Sequence, residues 1–219
     1  STKACGEGAP LVPVGELKLF HQLDTFVNLG GFANITLKNQ KKIIAYDICP
    51  VNLILNQVAN SINKPYDKNG NLASKGKLIP ELEKKLHDIN FFKLKPPKSL
   101  GVEWVNENIL PILGIYQKHT INDILNTYTI FIAKQISYAL KGRKEAFVTG
   151  GGAFNSFLIQ QIKNRTSCDI LIPEENIINF KEAIIFAFLG LLRDQKEVNC
   201  YASVTGAKQN HSSGKIFFP

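Results

Sequence analysis

A chain of 219 residues with 44% hydrophobic content can bury one good core or two modest ones, and it reads as globular. Its net charge of +8 comes from 26 Lys and Arg against 18 Asp and Glu, dispersed in pairs such as Lys41-Lys42 and Lys84-Lys85; with no arginine stripe and no aromatic-glycine motif, no nucleic-acid partner is expected. No apolar run reaches the about 18 residues that cross a bilayer, the start shows no export signal, and Cys5, Cys49, Cys168 and Cys200 are too scattered for a zinc or redox pair, so a cytoplasmic protein with reduced thiols and no membrane partner is expected.

In chain order, the first clear pattern runs from Asp24 to Ile48. β-branched runs at Thr25–Leu29, Phe32–Leu37 and Lys42–Ile48, separated by Gly30-Gly31 and by the polar turn at Asn39, predict a three-stranded antiparallel meander. Pro50 is placed in the first turn of a following helix, which carries Leu53, Ile54, Leu55 and Val58 at helical spacing and ends near Asn60 to Asn63. Lys64 to Lys77, with Asp67-Lys68-Asn69-Gly70 as a turn, reads as a surface excursion.

Pro80 to Leu140 is read as mainly helical, interrupted at Lys95-Pro96-Pro97-Lys98-Ser99, with Ser99 a plausible cap for the next helical segment. The last third alternates: a strand at Glu145–Thr149, a helix at Ala153–Lys163, a strand at Asp169–Ile172, and a helix at Asn179–Arg193 that is apolar around nearly its whole girth. From Val198 on, the tail reads as loops. The absence of Met, even at position 1, suggests a processed or truncated chain.

Two glycine clusters, each fused to a strand, carry the chemistry: Gly30-Gly31 and Gly150-Gly151-Gly152. Glycine lets backbone N–H groups approach phosphate or ribose without a Cβ between them. Each also has a plainer reading, as an ordinary hairpin turn and as a tight strand-to-helix turn. Neither cluster has the GxGxxG spacing of a dinucleotide fold, and Gly70 to Lys77 fails as a phosphate loop because it lacks a preceding strand and a Ser or Thr after Lys77. The order βββ, helix, helical insert, βαβα is that of an α/β fold of the actin-like ATPase (ribonuclease H-like) type, a mixed sheet with an antiparallel meander followed by α/β units. In such a lobe the first glycine turn faces the terminal phosphates and the second backs the adenosine. The chain is expected to form one such lobe over residues 1–219, with the insert at about 80–140.

Seven ordered stretches resemble the C-terminal portion of the anhydro-N-acetylmuramic acid kinase family: Gly6 to Pro13, Asn28 to Thr36, Asp47 to Asn52, Pro96 to Glu103, Val148 to Asn155, Lys181 to Ala183 with Phe186 to Phe188, and Ser203 to Ala207. The resemblance implies an ATP- and Mg2+-dependent kinase that phosphorylates 1,6-anhydro-N-acetylmuramic acid at O6 while water opens the anhydro ring, in cell-wall sugar recycling. It implies phosphate contacts at Gly30, Gly31 and Asn34, adenosine contacts at Gly150, Gly151, Gly152 and Asn155, and a sugar contact at Glu182. Asp47 is either a carboxylate that reaches hydrated Mg2+ through water or a cap on the helix after Pro50; Glu182 is otherwise a favourable charge at a helix start.

The chain departs from the family pattern at Cys49 and Val51, where glycines are common, at Val102, where Arg is often found, and at Ser1, which stands where the family has its general-base Asp. The family's glycine- and serine-rich phosphate loop and much of its sugar pocket would precede Ser1, so the N-terminal lobe is expected to lie outside this chain and the chain to be inactive alone. The rival reading is a non-catalytic nucleotide-binding remnant of the same fold. An apolar face in 80–140 is a candidate surface for a homodimer.

Overall fold

The computed structural model describes residues 12–39, 42–205 and 207–217. Helix α1 (Val12–Leu19) leads into the meander β1 (Thr25–Leu29), β2 (Phe32–Asn39) and β3 (Lys42–Pro50), and then into α2 (Asn52–Asn60). The segment 80–139 holds α3 (Pro80–Asp88), α4 (Val102–Asn108), α5 (Leu110–Ile115) and α6 (Ile121–Ala139). The chain closes with β4 (Glu145–Thr149), α7 (Ser156–Lys163), β5 (Asp169–Leu171), α8 (Glu175–Asp194) and the short α9 (Ala202–Thr205).

The five strands form one mixed sheet in the order β3-β2-β1-β4-β5, antiparallel through the meander and parallel from β1 to β4 to β5. Alternation along β1 divides the layers. Val27 and Leu29 enter the main core with Ile54 and Leu55 of α2, Leu125 and Ile132 of α6, and Leu158 and Ile162 of α7. Phe26 points the other way and joins Phe147, Leu17 and Leu23 in a second cluster, and Val14 of α1 packs on Ile185, Leu189 and Leu192 of α8. The result is a helix-sheet-helix sandwich.

Helices α3 to α5 share the main core, contributing Leu82, Leu86, Val105, Ile109 and Leu113. Phe92 sits edge-on to both Trp104 and Phe131, at 5.9 and 5.0 Å, which pins the loop 90–93 against α4 and α6. Tyr128 of α6, fully buried, donates its hydroxyl to the Pro50 carbonyl at 3.2 Å and so ties this segment to the end of β3.

Four local expectations are corrected. Pro50 pairs with Phe32 as the last residue of β3 and does not open a helix; β3 is an edge strand, where a missing N–H costs no ladder bond. Gly101 occupies the N-cap of α4 in place of Ser99. Residues 151–154 form a 3-10 turn before α7 begins at Ser156, and α8 starts at Glu175, four residues ahead of Asn179. The excursion 64–77 is largely exposed, as expected, and is anchored at a few points: the buried Asp67 accepts from the Leu72 and Ala73 N–H groups at 2.8 and 2.9 Å, and Asn126 of α6 donates to the Ala73 carbonyl at 2.9 Å.

Candidate functional site

Parallel pairing of β1 with β4, with Asn28 opposite Thr149, brings the two glycine turns out at the same end of adjacent strands. They stand side by side. The first is a tight connection between Leu29 and its partner Ala33, closed by the Gly30 N–H donating to the Phe32 carbonyl at 3.1 Å. Its carbonyls serve α2: Gly31 accepts from the N–H groups of Val51 at 2.7 Å and Leu53 at 3.3 Å, and Gly30 from that of Asn52 at 3.2 Å. These bonds satisfy donors that a helix start leaves without intrahelical partners. Asn52 also donates its side-chain amide to the Leu29 carbonyl at 2.9 Å.

The second turn leans on the first. Gly150 has φ +84°, and a Cβ there would stand 2.7 Å from the Leu29 backbone; at Gly152 it would stand 2.7 Å from the Leu29 Cβ. Close approach of the two turns requires glycine at both positions. Gly31 and Gly151 differ: both are exposed, and a Cβ would meet nothing nearer than 4.0 Å and 3.7 Å respectively. The Asn28 side chain lies between the turns, its Nδ2 beside Gly30 and its Oδ1 beside Gly150.

Beneath the turns a polar row crosses four strands: Asp47 of β3, Asn34 of β2, Asn28 of β1 and Thr149 of β4, each in register with the next. In-register neighbours share a face. A bulge makes the row possible, because the partner of β2 jumps from Cys49 at Ala33 to Asp47 at Asn34; without it Asn34 would face Ile48 and Asp47 would turn to the opposite side. Thr149 is fully buried and its hydroxyl has no hydrogen-bond partner among the described residues.

Asp47 does not cap α2, which corrects that alternative. Its Oδ2 accepts from the Leu100 N–H at 2.8 Å and its own N–H donates to the Lys98 carbonyl at 3.0 Å, so the strand end holds the segment after Pro96-Pro97. Burial pushes the Asp47 carboxyl above its ordinary value, partly offset by the Leu100 hydrogen bond. No cluster of three or more His, Cys, Asp or Glu side chains able to hold a metal occurs among the described residues. A single carboxylate beside two side-chain amides fits a Mg2+ that keeps most of its waters and takes its remaining ligands from phosphate.

Asn155 has a structural duty: its Oδ1 caps α7 by accepting from the Leu158 N–H at 3.0 Å. Gly70, with φ +71°, fits against that same side chain and Phe157, so the excursion abuts the start of α7. Glu182 stands on the exposed side of α8, and no hydrogen bond or ion pair among the described residues ties it to either turn. Its neighbour Lys181 is buried and pairs with Glu16 of α1 at 2.8 Å. Ser1 lies outside the described residues.

The sequence reading passed over Asn28, Asn52 and Thr149, and over the pair of Glu16 with Lys181. A polar residue in an apolar strand, one or two places before a glycine, was the available signal for Asn28 and Thr149. For the ion pair there was none, because its members are 165 residues apart.

A family model described as anhydro-N-acetylmuramic acid kinase matches residues 2–219. An anhydro-N-acetylmuramic acid kinase of Bacillus cereus is 34% identical over 239 residues, covering 99% of this chain and 62% of the relative. One from Francisella tularensis subsp. novicida is 36% identical over 233 residues, covering 98% and 61%. The chain thus spans a little over three-fifths of the length of these relatives. Among solved structures, the activator of the 2-hydroxyisocaproyl-CoA dehydratase from Clostridium difficile with bound ADPNP aligns at a TM-score of 0.51 and 18% identity, over 86% of this chain and 68% of the other. That likeness is one of fold, and the fold is of the actin-like ATPase type.

Proposed function

The chain belongs to the anhydro-N-acetylmuramic acid kinase family, and from that premise we propose that its residues form the nucleotide-holding lobe of an ATP-dependent kinase. The acceptor is 1,6-anhydro-N-acetylmuramic acid, phosphorylated at O6 while water opens the anhydro ring, in the cytoplasmic recycling of cell-wall sugar. The observation that carries the reading is the pairing of the two glycine turns at one end of β1 and β4, with Gly31 and Gly151 exposed and free of any steric need to be glycine.

Phosphoryl transfer asks a protein chiefly to position phosphates and offset their charge. Gly30, Gly31 and Asn34 serve the phosphate side, joined by the Asn28 amide between the turns. Gly150, Gly151 and Gly152 back the adenosine; the Nδ2 of Asn155 is the group left to meet a ribose hydroxyl, since its Oδ1 caps α7. Mg2+ offsets phosphate charge when bound, and Asp47 would hold it through water. Glu182 faces the sugar from the open side of α8.

The test is thermal unfolding of this chain with and without MgATP. At about 100 times Kd the nucleotide should add about 2.7 kcal/mol, and Gly151→Asp should abolish that gain with little change in its own midpoint, because the side chain enters space the fold leaves open but would occupy the room proposed for the adenosine. Equal stabilisation of both proteins would sink the reading. The rival reading is a chain that binds ATP without transferring phosphate, which follows if Ser1 stands at the family's general-base position as the resemblance implies. Phosphate transfer to the anhydro sugar by the longest form of the protein that carries these residues decides between the two.

A further inference from the structure

The excursion 64–77 encloses a surface depression of about 420 Å3, lined by Lys64, Pro65, Tyr66, Lys68, Leu72 and Lys75, together with Asp67 and Asn71. We propose that this depression binds a small phosphate monoester at a site separate from the glycine turns.

The charge balance points that way. Three lysines ring the depression, and none of them has an ion pair among the described residues. The one carboxylate in the lining, Asp67, is 8% exposed and spends its oxygens on the N–H groups of Leu72 and Ala73, so it leaves the lysines unpaired. Three lysines and an asparagine in the lining of one recess can supply charge-assisted donors to phosphate oxygens.

The rest of the lining has a different character. Pro65, Leu72 and the Tyr66 ring, which is 54% exposed, add apolar surface to the lining against which a base or sugar face can pack. A ligand carrying one phosphate on a compact ring body matches both halves; inorganic phosphate satisfies only the first.

The recess is also built in advance. Asp67 accepts from Gly70 N–H and Lys68 from Asn71 N–H, each at 3.1 Å through its carbonyl. Gly76 packs where a Cβ would run into the Asn122 backbone of α6. Binding then costs little ordering of the loop. Through the contact of Gly70 with Asn155, an occupant would bear on the α7 cap that follows the Gly150–Gly152 turn.

The experiment is a titration of the full chain with AMP and with inorganic phosphate at low salt, followed by 1H–15N correlation spectra. AMP should shift amides within 64–75 saturably, and phosphate should shift the same amides more weakly. Lys68→Gln with Lys75→Gln should weaken AMP at least about tenfold, Tyr66→Ala should bring AMP down toward phosphate, and Gly151→Asp should leave the response of 64–75 intact. The proposal is overturned by an absence of shifts in 64–75, by indifference to the lysine variant, or by loss of the response in Gly151→Asp, which would make the recess part of the nucleotide seat at the turns. If the unsubstituted chain gains no stability from MgATP while AMP still shifts 64–75, the nucleotide reading fails and this one stands.

Discussion

The two glycine turns sit side by side yet use glycine for opposite reasons, and the contrast separates what the fold needs from what a ligand needs. At Gly150 and Gly152 the backbone itself demands the residue: one has φ +84°, and at both a Cβ would stand 2.7 Å from Leu29. At Gly31 and Gly151 the fold makes no such demand, since a Cβ would have 4.0 and 3.7 Å of clearance. A glycine the fold does not require, exposed at the end of a rigid strand, is what close approach of a nucleotide would call for, its phosphates at Gly31 and its adenosine at Gly151.

The largest effect should therefore fall on Gly150. Gly150→Ala places a Cβ in a left-handed conformation against the β1 backbone, and a loss of about 3 kcal/mol in denaturant unfolding is expected. A loss below about 0.5 kcal/mol would mean that the turns are not pressed together as described.

Next is the link between the turns. Asn52→Ala leaves the Leu29 carbonyl without its side-chain donor and should cost about 1–2 kcal/mol by the same measurement, with amide exchange quickening at the start of α2. If the loss is confined to stability while MgATP still protects the variant, Asn52 braces the site and does not touch the ligand.

The meander, the β4-turn-α7 unit and the places of both glycine turns were legible in the sequence because each rests on local pattern: β-branched runs, turn residues and helical spacing. What escaped depends on distance along the chain. Asp47 takes its hydrogen bond from Leu100, 53 residues on, so the sequence alone left a cap on the helix after Pro50 open as one of two readings. The excursion 64–77 is at the surface as read, but its anchors could not be seen because Asn126 and Asn155 lie far along the chain, in α6 and at the cap of α7. Helix α1, only 8 residues with Pro13 and Gly15 inside it, has no periodic stripe; Gly15 is there because a Cβ would press on Ile185 of α8. For the site this means that the turns could be named in advance, whereas the polar row from Asp47 to Thr149 could not, because it depends on a bulge that only the paired strands reveal.

Asp47 offers a smaller, pH-dependent test of that row. Burial raises its carboxyl above the ordinary value, with the Leu100 N–H opposing, so the folded state holds this proton more tightly than the unfolded chain. The contribution to stability is then greatest at or below the ordinary carboxylate value and is lost as pH rises through the raised folded value. Asp47→Asn, which keeps an oxygen for the Leu100 N–H, should remove that component from the stability-versus-pH curve; a curve that matches the wild type would show that Asp47 is not held as described.

The smallest change in stability should come from the two glycines that the fold leaves free. Gly31→Ala and Gly151→Ala should each stay within about 0.5 kcal/mol of the wild type in the absence of ligand, because the added methyl meets no close neighbour. Their effect should emerge only with MgATP, as a smaller rise in the thermal midpoint than the wild type shows, whereas Gly150→Ala should lower the midpoint whether nucleotide is present or not. If the alanine variants at 31 and 151 gain as much from MgATP as the wild type, their freedom from steric need reflects ordinary turn surface, and the division between the two kinds of glycine carries no functional meaning.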